Sequence, residues 1–200
     1  MVAVMGRRPN TDLRREQIVQ ALADELSHVG YERCSIKSIA ERAALAPGLV
    51  HYHFKNKAEI LQSLVAQLIE TAEQRVADVW QSNLPAAERL SCYITARVGL
   101  SGPNSQDEVR LWTSLIGEAV GQPMVRAQLA RWLSQDQKRL SSLFEQAGVE
   151  SAEQHAAMLL ANVLGAFQMN ALKVTGIPKG YAEPRLQAWL DTLLSNAGRT

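Results

Sequence analysis

Two short helical patterns meet at a tight corner in residues 35–57, SIKSIAERAALAPGLVHYHFKNK, and this stretch limits the possible folds more than any other. Ser35 is a residue type that accepts a hydrogen bond from a free N–H in a helix's first turn, and Ile36, Ile39, Ala40 and Ala43 follow it at helical spacing. This predicts one short amphipathic helix ending near Ala43. A corner follows at Ala44, Leu45 and Ala46, and Pro47 suits the first position of a second helix because its missing N–H would be unpaired there anyway. That second helix, residues 47–53, is about two turns long.

Such a pair has the form of a helix-turn-helix reader of DNA. The second helix carries Pro47, Gly48, His51, Tyr52 and His53 for the major groove, and Lys55 and Lys57 follow it for phosphate. His51 and His53 also suggest a metal site, but residues two apart on a helix point to different sides and no third ligand lies nearby. Phe54 is expected to plug the core beneath the helices.

The run from Ile18 through Leu61, centred on AERAALAPGLVHYHFKNKAEIL, resembles the N-terminal DNA-binding domain of the TetR family of bacterial transcriptional regulators. The resemblance implies backbone contacts to DNA from Ser35, Lys37 and Ser38 at the start of the first short helix. It also implies a phosphate contact from Lys57. Four positions depart from the family pattern: Ala44 stands where the turn usually has glycine, Ala46 where serine usually caps the reading helix, and Leu49 and His51 where threonine and tyrosine are common. A missing cap costs about 1 kcal/mol.

Hydrophobic residues make up 46% of the 200, ordinary for a globular protein of one or two domains. The net charge is only +1, yet residues 1–57 hold nine Lys/Arg against six Asp/Glu, or +3, leaving −2 for the remainder. Arg7 and Arg8 lie in an N-terminal arm that can follow phosphate or reach a minor groove, with Arg14 and Arg15 opening the first helix behind it. Cys34 and Cys92 form no CxxC pattern, so neither a zinc site nor a disulfide framework is indicated. The apolar run before Arg7 is too short for a signal peptide, and the segment 156–172 is too short and too polar to span a membrane. A cytoplasmic protein with no cofactor and no membrane partner is expected.

In chain order, a helix over 11–29 buries Ile18, Leu22, Leu26 and Val29 and is closed by Gly30. A long helix from Asn56 or Lys57 to about Asn83 has no Pro or Gly break. Helices at roughly 86–100, 105–120, 123–147, 151–174 and 184–197 follow, separated by Gly and Pro punctuation. The expected fold is all-α with about nine helices: a three-helix DNA-binding domain over 1–57 and a larger helical bundle for ligand binding and dimerisation over 58–200.

The second region has no phosphate loop, GxSxG elbow or HExxH motif, and no enzymatic activity is expected from it. Its large apolar and aromatic residues with a few polar ones suit either a plain core or the wall of a cavity: Trp80, Tyr93, Trp112, Ile116, Glu118, Met124, Trp132, Phe167 and Asn170. Residues 111–148 resemble the C-terminal domain of the BetI-type branch of the family, some members of which sense choline-like cations. An aromatic cage beside Glu118 can hold such an ion by cation–π attraction, and fatty, aromatic or polyamine ligands stay equally open.

Two C-terminal stripes look too apolar to face solvent: Leu160, Val163 and Phe167 on one helix, and Leu186, Trp189, Leu190 and Leu193 on the next. In the family the corresponding pair forms a four-helix bundle with its two-fold mate. The whole pattern points to a homodimeric repressor that binds a palindromic operator in double-stranded DNA and is released by a small-molecule effector. The competing readings are an all-helical ligand-binding protein without specific DNA function and a non-specific architectural DNA-binding protein.

Overall fold

The computed structural model describes residues 10–99 and 105–197; Arg7 and Arg8 lie outside them. The described residues form nine helices and no strand: α1 (Asn10–Val29), α2 (Ile36–Arg42), α3 (Pro47–His53), α4 (Lys57–Gln81), α5 (Ala86–Val98), α6 (Ser105–Gly121), α7 (Pro123–Gln146), α8 (Ala152–Ala171) and α9 (Ala182–Ala197). The chain divides into two compact units, the first ending at Gln67 and the second running from Leu68. The division falls inside α4, later than the expected 57/58 boundary, because Ile60, Leu61, Leu64 and Val65 on its opening turns are all buried.

In the first unit, Ile18, Leu22 and Leu26 recur every four residues on α1 and are almost fully buried, whereas Val29 is 43% exposed and lies beyond the stripe. Gly30 closes the helix at φ +79°, a left-handed conformation that costs a residue without Cβ nothing. α2 opens with a reciprocal cap: the Ser38 N–H donates to Ser35 Oγ at 3.0 Å and the Ser35 N–H donates to Ser38 Oγ at 3.0 Å. Its end is a Schellman turn, in which the Leu45 N–H donates to the Ala40 carbonyl at 2.9 Å and the Ala44 N–H to that of Glu41 at 3.1 Å. Ala44 thus occupies the left-handed position at φ +52°, where a Cβ is penalised. Ala46 precedes α3 as its N-cap residue and supplies no side-chain cap, as expected from the missing serine.

In the second unit, Pro85 and Pro123 open α5 and α7 at positions where no helical N–H is needed. The core gathers Leu90, Tyr93, Ile94, Leu140, Phe144, Ala156, Leu159, Leu186 and Leu190. α7 ends in the same Schellman geometry as α2, with the Val149 N–H on the Phe144 carbonyl at 3.0 Å, and Gly148 takes its left-handed position at φ +75°.

The C-terminal stripes expected to meet a second copy are turned inward instead. Leu160 (9% exposed), Val163 (4%), Leu186 (8%) and Leu190 (1%) are buried within their own chain, and Phe167, Trp189 and Leu193 pack against the same core. With α5, α6 and α7 on one side, α8 and α9 place much of their apolar surface on the protomer, and Phe167, Trp189 and Leu193 stay partly exposed. The outward face of α8 is Ala157, Met158, Ala161, Asn162 and Met169, a row of small and flexible side chains.

Candidate nucleic-acid interface and ligand cavity

Only Val50 of α3 is buried, so this two-turn helix is held by one side chain and its flanks and presents the rest to solvent. Gly48 and His51 are exposed, Leu49 is 36% exposed and Tyr52 79% exposed, while His53 is half-buried with its ring edge-on to Tyr52 at 5.0 Å. An added Cβ at Gly48 would meet nothing within 4 Å, so this glycine leaves open space on the face rather than filling a close contact. Lys37 is exposed and lies 3.9 Å from Glu41, a weak solvent-screened pair that leaves its ammonium available. The Ser35 and Ser38 hydroxyls are both engaged in the α2 cap.

Two basic residues that charge counting directs to phosphate are used inside the head. The Lys57 ammonium donates to the carbonyls of Tyr31 and Cys34, each at 2.8 Å, and lies 4.1 Å from the centre of the Tyr31 ring. At most one of its three N–H groups is left for phosphate. Arg15 is no part of a free arm: it donates to the His53 carbonyl, stacks 4.0 Å over Phe54 and sits 3.9 Å from Glu59. It satisfies an orphan carbonyl at the end of α3, as a cation at a helix C-terminus does well.

Within the second unit, Tyr93, Trp112, Trp132 and Phe167 line one small cavity with Ala72, Arg75, Ala96, Arg97, Leu133, Asp136, Leu160, Val163 and Leu164. Its free volume is about 20 Å³, room for a single water-sized molecule. The Trp112 and Trp132 rings stack at 5.2 Å and 20°. At its base the Arg97 guanidinium, 6% exposed, donates to Asp136 Oδ2 at 2.5 Å and to the Ala72 carbonyl at 2.9 Å. The Tyr93 hydroxyl donates to the same Asp136 oxygen at 2.9 Å. Glu73 accepts from the Trp132 indole N–H at 2.8 Å and from Arg139 at 2.7 Å, and lies 3.3 Å from Arg97.

Burial pushes the Tyr93 phenol up and also raises the Asp136 carboxyl, against the opposing pull of Arg97. Burial acts in the same sense on Glu73, but its hydrogen bonds from Arg139 and Trp132 and the charges of Arg139 and Arg97 outweigh it, so that carboxyl is lowered.

The other expected wall residues stand elsewhere. Trp80 packs against Tyr93 at 5.5 Å from outside the cavity, and its indole N–H has no hydrogen-bond partner among the described residues. On α6 the inward turn after Trp112 is taken by Leu115, 0% exposed, which leaves Ile116 half-buried and places Glu118 off the cavity. Met124, at the first turn of α7, is 60% exposed. Asn170 lines a second cavity of about 380 Å³ with Val98, Val109, Met169, Ile177 and Tyr181, and Phe167 is a wall common to both.

Sequence reasoning missed Arg97 and Asp136. A signal was present. Arg97 continues the buried row Leu90, Tyr93, Ile94 at the next helical repeat, and Asp136 stands between Trp132 and Leu140 on theirs, so each helix puts one charge, of opposite sign, on its apolar face.

An exposed two-turn helix set by a capped partner and a fixed corner, joined to an all-helical unit with a lined cavity, defines a helix-turn-helix transcriptional regulator. Residues 18–64 match the model of bacterial regulatory proteins of the tetR family. The HTH-type transcriptional regulator BetI of Stenotrophomonas maltophilia (strain R551-3) is 27% identical over 199 residues, covering 92% of this chain and 98% of that protein. The fold is shared with a transcriptional regulator from Rhodococcus sp. Rha1 (TM-score 0.81, 24% identity, 91% of this chain and 96% of that one). It is shared too with a regulator from Saccharomonospora viridis in complex with choline (TM-score 0.76, 20% identity, 90% and 96%). Residues 18–64 thus carry the N-terminal domain of the tetR family, and the chain as a whole is similar to that family's transcriptional regulators.

Proposed function

We propose that this regulator is a repressor, active in the cytoplasm as a homodimer on a palindromic operator and released by a small-molecule effector. The observation that carries the reading is the solvent-facing surface of α3, where Tyr52, His51 and Leu49 stand free of the core. The α2 cap and the Lys57 and Arg15 hydrogen bonds fix the backbone from which those side chains project. One two-turn helix contacts few base pairs, so a second head about 34–36 Å away, or a multiple of that, supplies affinity and imposes the palindrome.

On this reading the dimer surface includes the outward face of α8 with Ala188, Thr192 and Ser195 of α9, whose small side chains allow helices to approach closely. α4 contributes Ile60 and Leu61 to the first unit's core and Val76 and Val79 to the second's, without Pro or Gly between them. An effector shifts the two head arrangements only by its difference in affinity for them, and a change from 99:1 to 1:99 needs roughly 5.5 kcal/mol.

The experiment is a footprint on the DNA upstream of the protein's own gene, extended genome-wide, with Tyr52→Ala in parallel. A protected palindrome that Tyr52→Ala loses while its dimer persists supports the reading. Binding without sequence preference, collapsing between about 50 and 200 mM salt, would replace it with the architectural alternative.

A further inference from the structure

The reading helix is poor in the side chains that identify bases by paired hydrogen bonds. Ala46 and the seven residues of α3 include no Arg, Lys, Asn, Gln, Asp or Glu, the types that match the edges of guanine, adenine or cytosine in the major groove. Two nearby groups of those types are engaged elsewhere: Asn56 caps α4 by accepting from the Glu59 N–H at 2.9 Å, and Arg42 is paired with Glu25 at 2.6 Å. Lys55 stands past the C-terminal end of α3, whereas a helix-turn-helix directs the first turn of its reading helix at base edges. His51 and Tyr52 can each place a donor in the groove, but a purine N7 accepts it from adenine and guanine alike.

What the first turn of α3 does present is apolar. Pro47, Gly48 and Leu49 are all exposed, and a Cβ added at Gly48 would meet nothing within 4 Å. The missing side chain leaves a shallow surface that can come close to base edges. Gly48 and Tyr52 lie about one turn apart, opposite the buried Val50, and Leu49 flanks them.

The apolar group that base pairs display in the major groove is the C5-methyl of thymine. Leu49 is 36% exposed on a helix whose one buried side chain is Val50. Removing its surface and a methyl's from water together is favourable and makes no demand on hydrogen-bond geometry. Cytosine carries only a hydrogen at that position, so the contact discriminates between the pyrimidines.

We infer that α3 identifies its DNA mainly by thymine methyl groups, with Leu49 as the specificity-determining side chain, seated on the C5-methyl of a thymine in each half-site beside Tyr52. This rests on the sequence-specific DNA-binding reading above and narrows it to half-sites with thymine under the first turn of α3.

The test begins with selection of duplexes from a random-sequence pool by the full chain at about 150 mM salt. In the selected site each thymine is then replaced in turn by 2′-deoxyuridine, which keeps the base pair and its hydrogen-bonding groups and lacks only the methyl. Binding should weaken about fourfold at one thymine or more in each half-site, the equivalent of one buried methyl-sized group, and Leu49→Ala should lose less than about twofold on the same replacement. The scan uses the unmodified protein, so it decides even should the variant not fold. Uracil equivalent to thymine at every position, or a selected half-site without thymine, overturns the inference and leaves a sequence-specific regulator standing. An equal uracil loss in wild type and a folded Leu49→Ala overturns the role of Leu49. Failure to enrich any sequence would remove the sequence-specific reading and this inference together.

Discussion

The Lys57 ammonium donates to the Cys34 carbonyl at 2.8 Å and so ties the first residue of α4 to the residue before the α2 cap. With its second bond to Tyr31 it closes the loop between α1 and α2 across the head. Lys57→Met should lower the stability of the head by about 2 kcal/mol, as expected for losing hydrogen bonds to a charged donor. Operator affinity should fall with it, but the slope of log affinity against log salt should not change. A direct phosphate contact would instead flatten that slope by about 0.9, so a salt titration of wild type and variant separates the two roles.

Ala44 and Gly148 occupy the same position of the same helix-ending turn, at φ +52° and +75°. Only the first carries a Cβ into left-handed space, at a cost of roughly 1–2 kcal/mol that the greater unfolded-state freedom of glycine partly offsets. Ala44→Gly should therefore stabilise the protein by about 0.5–1 kcal/mol in denaturant unfolding. Gly148→Ala should destabilise it by a similar amount.

Arg97 and Asp136 are both buried, and removing one strands the other. Asp136→Ala should cost about 3–5 kcal/mol by thermal or denaturant unfolding. The double change Arg97→Met with Asp136→Leu removes both charges, and it should recover most of that loss.

Glu73 has a lowered carboxyl pKa in the fold, so its contribution is present above its ordinary value of 4.5 and is lost as pH falls through the folded value. Asp136, raised by burial, acts in the opposite sense: its effect favours folding at low pH and fades as pH rises through its raised value. Unfolding curves between about pH 5 and 3 should show wild type losing stability faster than Glu73→Gln.

Ala161 lies on the outward face of α8, whereas Leu193 packs against the protomer's own core. Ala161→Arg should yield folded monomers in sedimentation with unchanged helical circular dichroism. Leu193→Arg should instead lower the unfolding midpoint before it changes the oligomeric state.

The head was legible because its determinants are local. A serine cap, apolar residues at helical spacing, a proline at a helix start and missing side chains at Ala44 and Ala46 each act within a few residues, and each reappears as a hydrogen bond or a dihedral angle. The helix boundaries of the second unit followed from Gly and Pro for the same reason. Charge near the reading helix was a poorer guide, because Lys57 and Arg15 found carbonyls 26 and 38 residues away in the chain.

Direction was not legible. An apolar stripe on α8 or α9 has the same sequence whether it packs on its own bundle or on a second copy, and only the arrangement of α5, α6 and α7 turned Leu160, Val163, Leu186 and Leu190 inward. The cavity shows the same division. Tyr93, Trp112, Trp132 and Phe167 could be named from residue type, but Arg97 and Asp136 lie 39 residues apart in the chain and become a buried pair only when their helices pack. Sequence by itself determined the reading helix, its corner and the helical class, since short-range hydrogen bonding and periodicity decide these. Tertiary structure decided which faces are inside, because burial depends on what each stripe meets.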